Sequence, residues 1–553
     1  MDKKAYSLFS TLIIIALGGM LSSAATPDDR NFKISRNYNI FSSVFRELSE
    51  FYVDSTDVDA AFGNAIEGLL SDYDPYTEYI PEEEMTDFKY LTTGEYGGIG
   101  ALISRRGNKV FVTEPYEGLP AQKAGVQFGD EIVEIDGEKM EGQEVSYASS
   151  KLRGQPNTEL VLLLRREGQK KPLKIKIKRE LIVMDQVQYA GMVDAETGYI
   201  YLNSFTDKAA EEVRRAAEQL KARGATRLIL DLRGNGGGLL TEAVSICNLF
   251  VAKGEEIVST RGRVPTWDRI YRTMRQPLDT QMPLVVLTNN GSASSSEIVA
   301  GALQDLDRAV IVGSRTYGKG LVQTTREVAY NGMLKVTTAK YYIPSGRCIQ
   351  AIDYANRNAD GSVGRIPDSL TTVFSTRHGR QVRDGGGIMP DVEVKVPELS
   401  NLSVQLVLDN HIFDFANRYA REHSTIAPPR EFRLSEQDYL AFKEFVTKRG
   451  VSYDLRSRQE MKSLKRILEY EGFMETAREE FAALEKKIGK DLDHDLDQFR
   501  PEIEKLLRQE IILRYYYQKG QLEASLVDDE GVAQAVKILS DSARYRSILH
   551  LGD

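Results

Sequence analysis

Three short stretches of the 553-residue chain concentrate residue types able to perform acyl transfer. They are Asp231-Leu-Arg-Gly-Asn-Gly-Gly-Gly238, Gly291-Ser-Ala-Ser-Ser-Ser-Glu297 and Tyr317-Gly-Lys-Gly-Leu-Val-Gln323. Clustered glycines free backbone N–H groups to point at one anion, here the oxyanion of a tetrahedral intermediate. Serines at a strand-to-helix turn can expose a hydroxyl in front of helix-start amides. That hydroxyl needs a base, since its own pKa is far too high for attack at neutral pH. The five histidines (His378, His411, His423, His494 and His550) all follow these stretches. The base expected is therefore Lys319. A lysine serves only when neutral, and burial among apolar groups lowers its pKa. Val310, Ile311, Val312, Leu321 and Val322 make its sequence neighbourhood apolar.

Each stretch also has a plainer reading. Ser294 and Glu297 form Ser-x-x-Glu, a helix capping box, and Ser292, Ser295 and Ser296 compete with Ser294 by residue type. Lys319 could be a solvated turn lysine, and the glycines a flexible turn. Gly313-Ser-Arg-Thr-Tyr-Gly318-Lys319 also fits the core of a phosphate-binding loop. Gly320 then stands where a Ser or Thr must hold magnesium, and Leu321 to Val328 reads as a strand rather than a helix. The nucleotide reading is rejected.

The elements that must position these residues alternate. Strands are expected at Thr197–Leu202, Arg227–Leu232, Leu284–Thr288 and Ala309–Val312, with helices at Lys208–Arg223, Leu239–Leu249 and Ser295–Leu306. Short apolar strands separated by helices mean parallel βαβ units, whose ligands gather where strands end and helices begin. Residues 402–553 look helical and charged. Leu464 to Leu513 carries apolar residues at helical spacing, and Arg514-Tyr-Tyr-Tyr517 reads as core.

Before the alternating region, residues 90–180 are strand-rich. Tyr96-Gly-Gly-Ile-Gly100 precedes the first strand, a short helix (Leu119–Ala124) and a longer one (Gln143–Leu152) follow, and turns fall at glycines. This order resembles a PDZ domain, in which a peptide carboxylate docks on the glycine loop and the peptide adds a strand. Carried over, the loop amides are those near Gly98, Ile99 and Gly100, and the helix ending at Leu152 forms the groove wall. Further upstream, helices are expected at Ile40–Asp54 and Ala60–Leu70.

Apolar content of 41% and charged content of 28% fit a soluble globular protein, and a net charge of -9 argues against nucleic acid. Lys3 and Lys4, the apolar run Leu8 to Leu21 and Ser22-Ser-Ala-Ala25 form an export signal, with an uncleaved anchor as the rival. Either places the body outside the cytoplasm. Cys247 and Cys348 are expected as two free, buried thiols, with a single disulfide as the rival, and no metal-ligand spacing involves them.

Taken jointly, the three stretches, Tyr342-Ile-Pro-Ser-Gly-Arg347 and Gly385-Gly-Gly-Ile-Met-Pro-Asp391, in this order behind a PDZ-like unit, closely resemble the carboxy-terminal processing (tail-specific) proteases. The match covers about residues 35–395. The resemblance implies a multidomain α/β chain. Its parts are a signal or anchor (1–25), an N-terminal helical segment (26–89), an inserted PDZ-like β-rich domain (90–180), a βαβ crotonase/ClpP-like protease core (181–395) and a helical C-terminal domain (396–553). It implies a serine–lysine endopeptidase with Ser294 as nucleophile, Lys319 as base, Gln323 holding the lysine, and oxyanion amides at Gly237 and Ser295. No metal or organic cofactor is implied. Partners would be proteins or peptides with exposed C-terminal tails, with an adaptor or homo-oligomer left open and membrane contact only through an uncleaved N-terminal segment. The location implied is periplasmic, or anchored to the outer face of the inner membrane. A catalytically silent or latent PDZ scaffold is the alternative. The chain departs from the family pattern at Ser295 (usually Ala), Gly236 (commonly Pro) and Tyr76 (usually His).

Overall fold

The computed structural model describes residues 27–552 apart from 358–361, 396–397, 454 and 488–490. The export segment expected between Lys3 and Ala25 lies outside the described residues. The chain divides into two units, residues 1–79 and 80–553. The first holds α1 (Pro27–Phe51) and α2 (Val58–Leu70). Asp57 caps α2 by accepting from the Ala60 amide. Phe62 of α2 packs against Phe41 and Phe45 of α1, with ring centroids 5.9 and 4.2 Å apart. α1 thus begins well before the Ile40 expected from periodicity.

In the second unit, β1 (Ala101–Arg106), β2 (Lys109–Pro115), β3 (Glu131–Ile135), α3 (Val145–Leu152), β4 (Glu159–Arg165) and β5 (Leu173–Lys178) build the PDZ domain. The strands pair antiparallel in the order β1-β2-β3-β4-β5. Alternation along β4 buries Leu160, Leu162 and Leu164 against Ala148 and Leu152 of α3. The glycine stretch before β1 differs from expectation. Glu95–Gly98 is itself a strand, paired antiparallel with Glu180–Val183.

The α/β domain that follows is built on a six-stranded sheet. In chain order its strands are β6 (Val187–Met192), β7 (Thr197–Leu202), β8 (Arg227–Asp231), β9 (Leu284–Thr288), β10 (Val310–Gly313) and, after β11 (Leu321–Glu327) and β12 (Met333–Tyr342), β13 (Val392–Glu393). The spatial order is β6-β7-β8-β9-β10-β13, parallel from β7 onward, with β6 antiparallel at one edge. β11 and β12 form an antiparallel hairpin in a separate sheet.

Both faces of the parallel sheet are covered, which is why its strands read as continuous apolar runs. Leu228, Leu230, Leu284, Val286 and Ile311 pack on α4 (Ala209–Ala222), α5 (Leu240–Phe250) and α6 (Ser295–Asp305). Ile229, Val285, Leu287, Val310 and Val312 pack on the other side. There they meet Val532, Ala535 and Ile538 of the late helix Glu530–Ser540, and Tyr545 of Ser542–Ile548. Each such aliphatic side chain contributes about 1.5–3 kcal/mol on burial. These late helices are therefore part of the core of this α/β domain.

Preceding helices form a bundle around Phe415, Tyr439, Phe442, Leu507 and Ile511. This bundle also holds the PDZ domain. The Arg514 guanidinium lies between the rings of Phe128 and Phe413, at 4.7 and 4.4 Å. Arg106 binds Asp414 at 2.8 Å, and Gln122 donates to the Tyr517 hydroxyl. Tyr517 sits at φ 53, ψ -164 within Arg500–Ser525 and faces the PDZ domain, not the bundle core expected for the tyrosine run. Both cysteines are free. Cys247 is buried, and Cys348 is half-buried where full burial was expected.

Candidate active site

The three stretches singled out by residue type meet at the C-terminal edge of the parallel sheet. β8 runs into the glycine loop 232–238, β9 into the serine turn before α6, and β10 into the loop carrying Lys319. Hydrogen bonds lace the first two loops together. Asn289 Oδ1 accepts from the Gly234 and Gly291 amides, and the Ala293 amide donates to the Asn235 carbonyl. The third loop joins through the Tyr317 amide, which donates to the Ser292 carbonyl at 3.0 Å.

The four serines of the turn are not equivalent. Ser292 Oγ donates to the Leu232 carbonyl, Ser295 Oγ to Gly238 and Ser296 Oγ to Asn235, at 2.8, 2.9 and 2.8 Å. All three are buried and bound to backbone. Ser294 is half-buried and takes φ 54, ψ -113. A non-glycine residue at positive φ costs about 1–3 kcal/mol and persists only where its surroundings hold it there. Here the holding groups are clear. Its amide donates to Glu297 Oε2 at 2.8 Å, and its carbonyl accepts from the Glu297 and Ile298 amides and the Tyr341 hydroxyl.

Gly237 is pressed against this residue. A Cβ there would lie 2.8 Å from the Ala293 carbonyl oxygen, 2.9 Å from Ser294 Cβ and 3.0 Å from the Ser295 nitrogen, and its φ is 102. The Gly237 amide donates to Asn235 Oδ1 at 2.9 Å. The Ser295 amide, at the first turn of α6, has no acceptor among the described residues. Of the two amides expected to face an oxyanion, one is thus unspent and the other is engaged by Asn235.

Lys319 is half-buried and follows Gly318, whose φ is 90 and whose added Cβ would sit 2.3 Å from Ala351 Cβ. β11 begins two residues later, so a strand follows the lysine, as the rejection of a phosphate loop required. The ladder between β11 and β12 shifts register between Val322 and Gln323, and Gln323 Nε2 donates to Thr337 Oγ1 at 3.0 Å.

The sequence pattern marks Glu297 only as a helix cap. It is fully buried, and its carboxylate accepts from Thr316 Oγ1 and the amides of Gly318, Lys319 and Ser294. Burial pushes its carboxyl up to about 7, against four hydrogen bonds that favour the anion. Two more residues escaped the reading. Arg233 ties the glycine loop to Asp231 and, across the sheet, to Asp529. Asn235 orders both loops around it. Nothing local in the sequence signals partners nearly 300 residues apart.

In the PDZ domain, Ile99, Gly100 and Leu152 line a groove of about 220 Å³ together with Tyr96, Tyr116 and Arg153. Gly98 does not line it. It faces Glu180 in the strand ladder instead.

Comparison with known proteins fits this arrangement. Residues 196–355 match peptidase family S41, residues 111–166 a PDZ domain, and residues 402–539 the C-terminal helical domain described for a probable PDZ-protease. A carboxy-terminal-processing protease of Bartonella bacilliformis is 41% identical over 316 residues, 56% of this chain and 72% of that protein. The chain belongs to the carboxy-terminal-processing proteases of family S41. A probable CtpA-like serine protease of Staphylococcus aureus is 32% identical over 371 residues, covering 66% of this chain and 67% of that one. A solved structure titled photosystem II D1 C-terminal processing protease shares 26% identity, with a TM-score of 0.35, over 64% of this chain and 92% of its own. This carboxy-terminal-processing protease thus combines a PDZ groove, an S41 protease domain and a C-terminal helical domain in one chain.

Proposed function

We propose that this protein is an exported serine endopeptidase that captures protein substrates by their C-terminal tails and cleaves them with Ser294 and Lys319. The observation that carries the reading is the serine turn. Three of its hydroxyls are buried and bonded to backbone carbonyls, while Ser294 is half-buried on a strained backbone. A sharp strand-to-helix turn presenting one hydroxyl is what a nucleophile requires.

In this mechanism the tail binds in the groove beside Ile99, Gly100 and Leu152 and presents a peptide bond to the protease domain. Lys319 Nζ, neutral, takes the hydroxyl proton as Ser294 Oγ attacks the peptide carbonyl carbon. The oxyanion is held by the Ser295 amide and by the glycine loop, with Gly237 exchanging its Asn235 bond for the substrate. Collapse of the intermediate breaks the C–N bond, and the departing amine takes the proton from Lys319. Water, deprotonated by Lys319, then releases the acyl group and restores the serine. The Nε2 bond of Gln323 to Thr337 leaves its Oε1 to orient the lysine. The segment from Lys3 to Ala25 directs the body to the periplasm or holds it on the outer face of the inner membrane.

Steady-state cleavage of an unfolded reporter protein ending in an apolar tail tests the reading. Ser294→Ala and Lys319→Ala should each abolish turnover while thermal unfolding and tail binding persist. Full turnover by either variant removes that residue from its role. Cleavage lost only when residues 90–180 are deleted would place substrate selection in the PDZ domain.

A further inference from the structure

A helix cap needs one contact from Glu297, the bond its side chain makes back to the amide at the start of the helix. The observed carboxylate does more. Oε2 accepts the Ser294 amide at 2.8 Å and the Lys319 amide at 2.9 Å, while Oε1 accepts the Gly318 amide at 2.7 Å and Thr316 Oγ1 at 2.5 Å. The main-chain nitrogens of residues 294 and 319 therefore lie on one oxygen atom and can be no farther apart than the sum of two hydrogen bonds. Twenty-four residues of chain, including all of α6 and β10, separate them in sequence. We propose that Glu297 is a positioning residue that sets the distance between Ser294 and Lys319 by binding both backbones through one carboxylate oxygen.

The inference rests on Ser294 as nucleophile and Lys319 as base. Its physical content is that side-chain rotamers alone cannot keep an amine against a hydroxyl when the two sit on different loops. Both loops carry glycine, and a loop free to drift by 1 Å costs about a hundredfold in rate. Hydrogen bonds to an ionised acceptor are about twice as strong as neutral ones. Glu297 is wholly removed from solvent, so no water replaces it when it is lost. Tyr341, reaching the Ser294 carbonyl from β12, holds the other backbone polar group of the same residue. The oxygen shared by two amides is what distinguishes the arrangement from an ordinary capping box.

Glu297→Gln tests it, because an amide nitrogen then faces N–H donors on one side of the clamp. The assay is cleavage of the same unfolded, apolar-tailed reporter by full-length protein, with thermal unfolding and anisotropy of a labelled tail peptide measured alongside. The expected result is a folded variant with kcat down about a hundredfold, KM within about threefold of wild type and unchanged peptide affinity. A folded Glu297→Gln variant with kcat within about threefold of wild type overturns the inference. Should Glu297→Gln not fold, Glu297→Asp takes its place, keeping the anion but shortening its reach by one methylene. A kcat loss of about tenfold or more in the folded protein supports the clamp, and a smaller one overturns it. Ser294→Ala and Lys319→Ala run in parallel separate the two claims. If either of those retains turnover, the assignment of nucleophile and base fails. If both are inactive and the Glu297 variant is fully active, only the clamp fails.

Discussion

The chain carries two glycine-rich loops that look alike in sequence, Gly234-Asn-Gly-Gly-Gly238 in the protease domain and Gly97-Gly-Ile-Gly100 in the PDZ domain. Both read as nests of amides aimed at an anion. The structure treats them differently. The protease loop leaves the end of a parallel strand and enters a helix, so its backbone turns on itself, with Gly234, Gly237 and Gly238 all at positive φ. The PDZ loop lies between two strands, and its first half joins a ladder, with Gly98 opposite Glu180. Gly100 alone of that loop takes a positive φ, at 69. The element that follows a glycine run therefore decides its use. The loop before the helix gives its amides to side chains, Gly234 to Asn289 and Gly237 to Asn235, whereas a strand spends them on its neighbour's backbone.

The sharpest way to break this contrast is Gly237→Ala. A methyl group there meets the Ala293 oxygen, Ser294 Cβ and the Ser295 nitrogen at 3.0 Å or less, all of them backbone or the proposed nucleophile. Cleavage should fall about a thousandfold in kcat, with tail-peptide affinity within about twofold of wild type. A variant that keeps its kcat would mean that the loop does not face the reacting atoms.

The loops should also separate by pH. Burial raises the Glu297 carboxyl from 4.5 to about 7; the Lys319 backbone amide on the neighbouring loop donates to it, and the titratable group that feels its charge from β12 is the Tyr341 phenol. Burial lifts the Tyr341 phenol well above its ordinary value, so it stays neutral. As pH falls through 7, Glu297 takes up a proton and loses acceptor capacity toward the Ser294 and Lys319 amides. Cleavage should therefore drop on the acid side of 7. Stability runs the other way. The folded state holds this proton more tightly than the unfolded chain, so the contribution is fully present below about 4.5 and is lost as pH rises to about 7. The PDZ groove should be indifferent over the same range. Burial raises its phenols, Tyr90 upward and Tyr116 to about 12. Parallel profiles of kcat, peptide anisotropy and thermal unfolding from about pH 4 to 8 check all three. Tail binding that falls together with kcat would mean the two loops share a titrating group.

Much of this was legible in sequence because it is local. The strands ending at Leu202, Thr288 and Arg165 and the helix ending at Leu152 fall where apolar periodicity and turn residues place them. So does the turn holding Ser294. What was not legible depends on chain partners far apart. Glu297 looks like a cap because its bond to Ser294 is three residues long, while its bonds to Gly318 and Lys319 cross the end of the sheet. The helices after residue 525 showed no chemistry in sequence, yet they cover one face of the protease sheet, and Tyr545 reaches the Leu284 backbone. Tyr517 was read as core because an aromatic run in a helix usually is. Its backbone breaks the helix at the PDZ contact instead. Periodicity cannot show that a residue leaves the pattern.

Two substitutions sharpen the contrast inside the PDZ loop. Gly100→Ala places a methyl 2.5 Å from Leu119 Cβ at φ 69. It should raise KM for tailed substrates about tenfold while leaving kcat at saturation within about twofold. Unchanged KM would remove Gly100 from the tail site.

Gly98→Ala should do least. Its added methyl meets Tyr96 Cε2 at 2.7 Å, a side-chain ring atom rather than backbone. The residue is in extended backbone paired with Glu180, a conformation alanine adopts without strain. Peptide anisotropy should therefore report a change in affinity below about threefold. A loss of about tenfold or more would put the Gly98 amide in the carboxylate site after all. The two glycine loops would then be built on one plan, with the strand ladder in the PDZ domain opening to admit the tail.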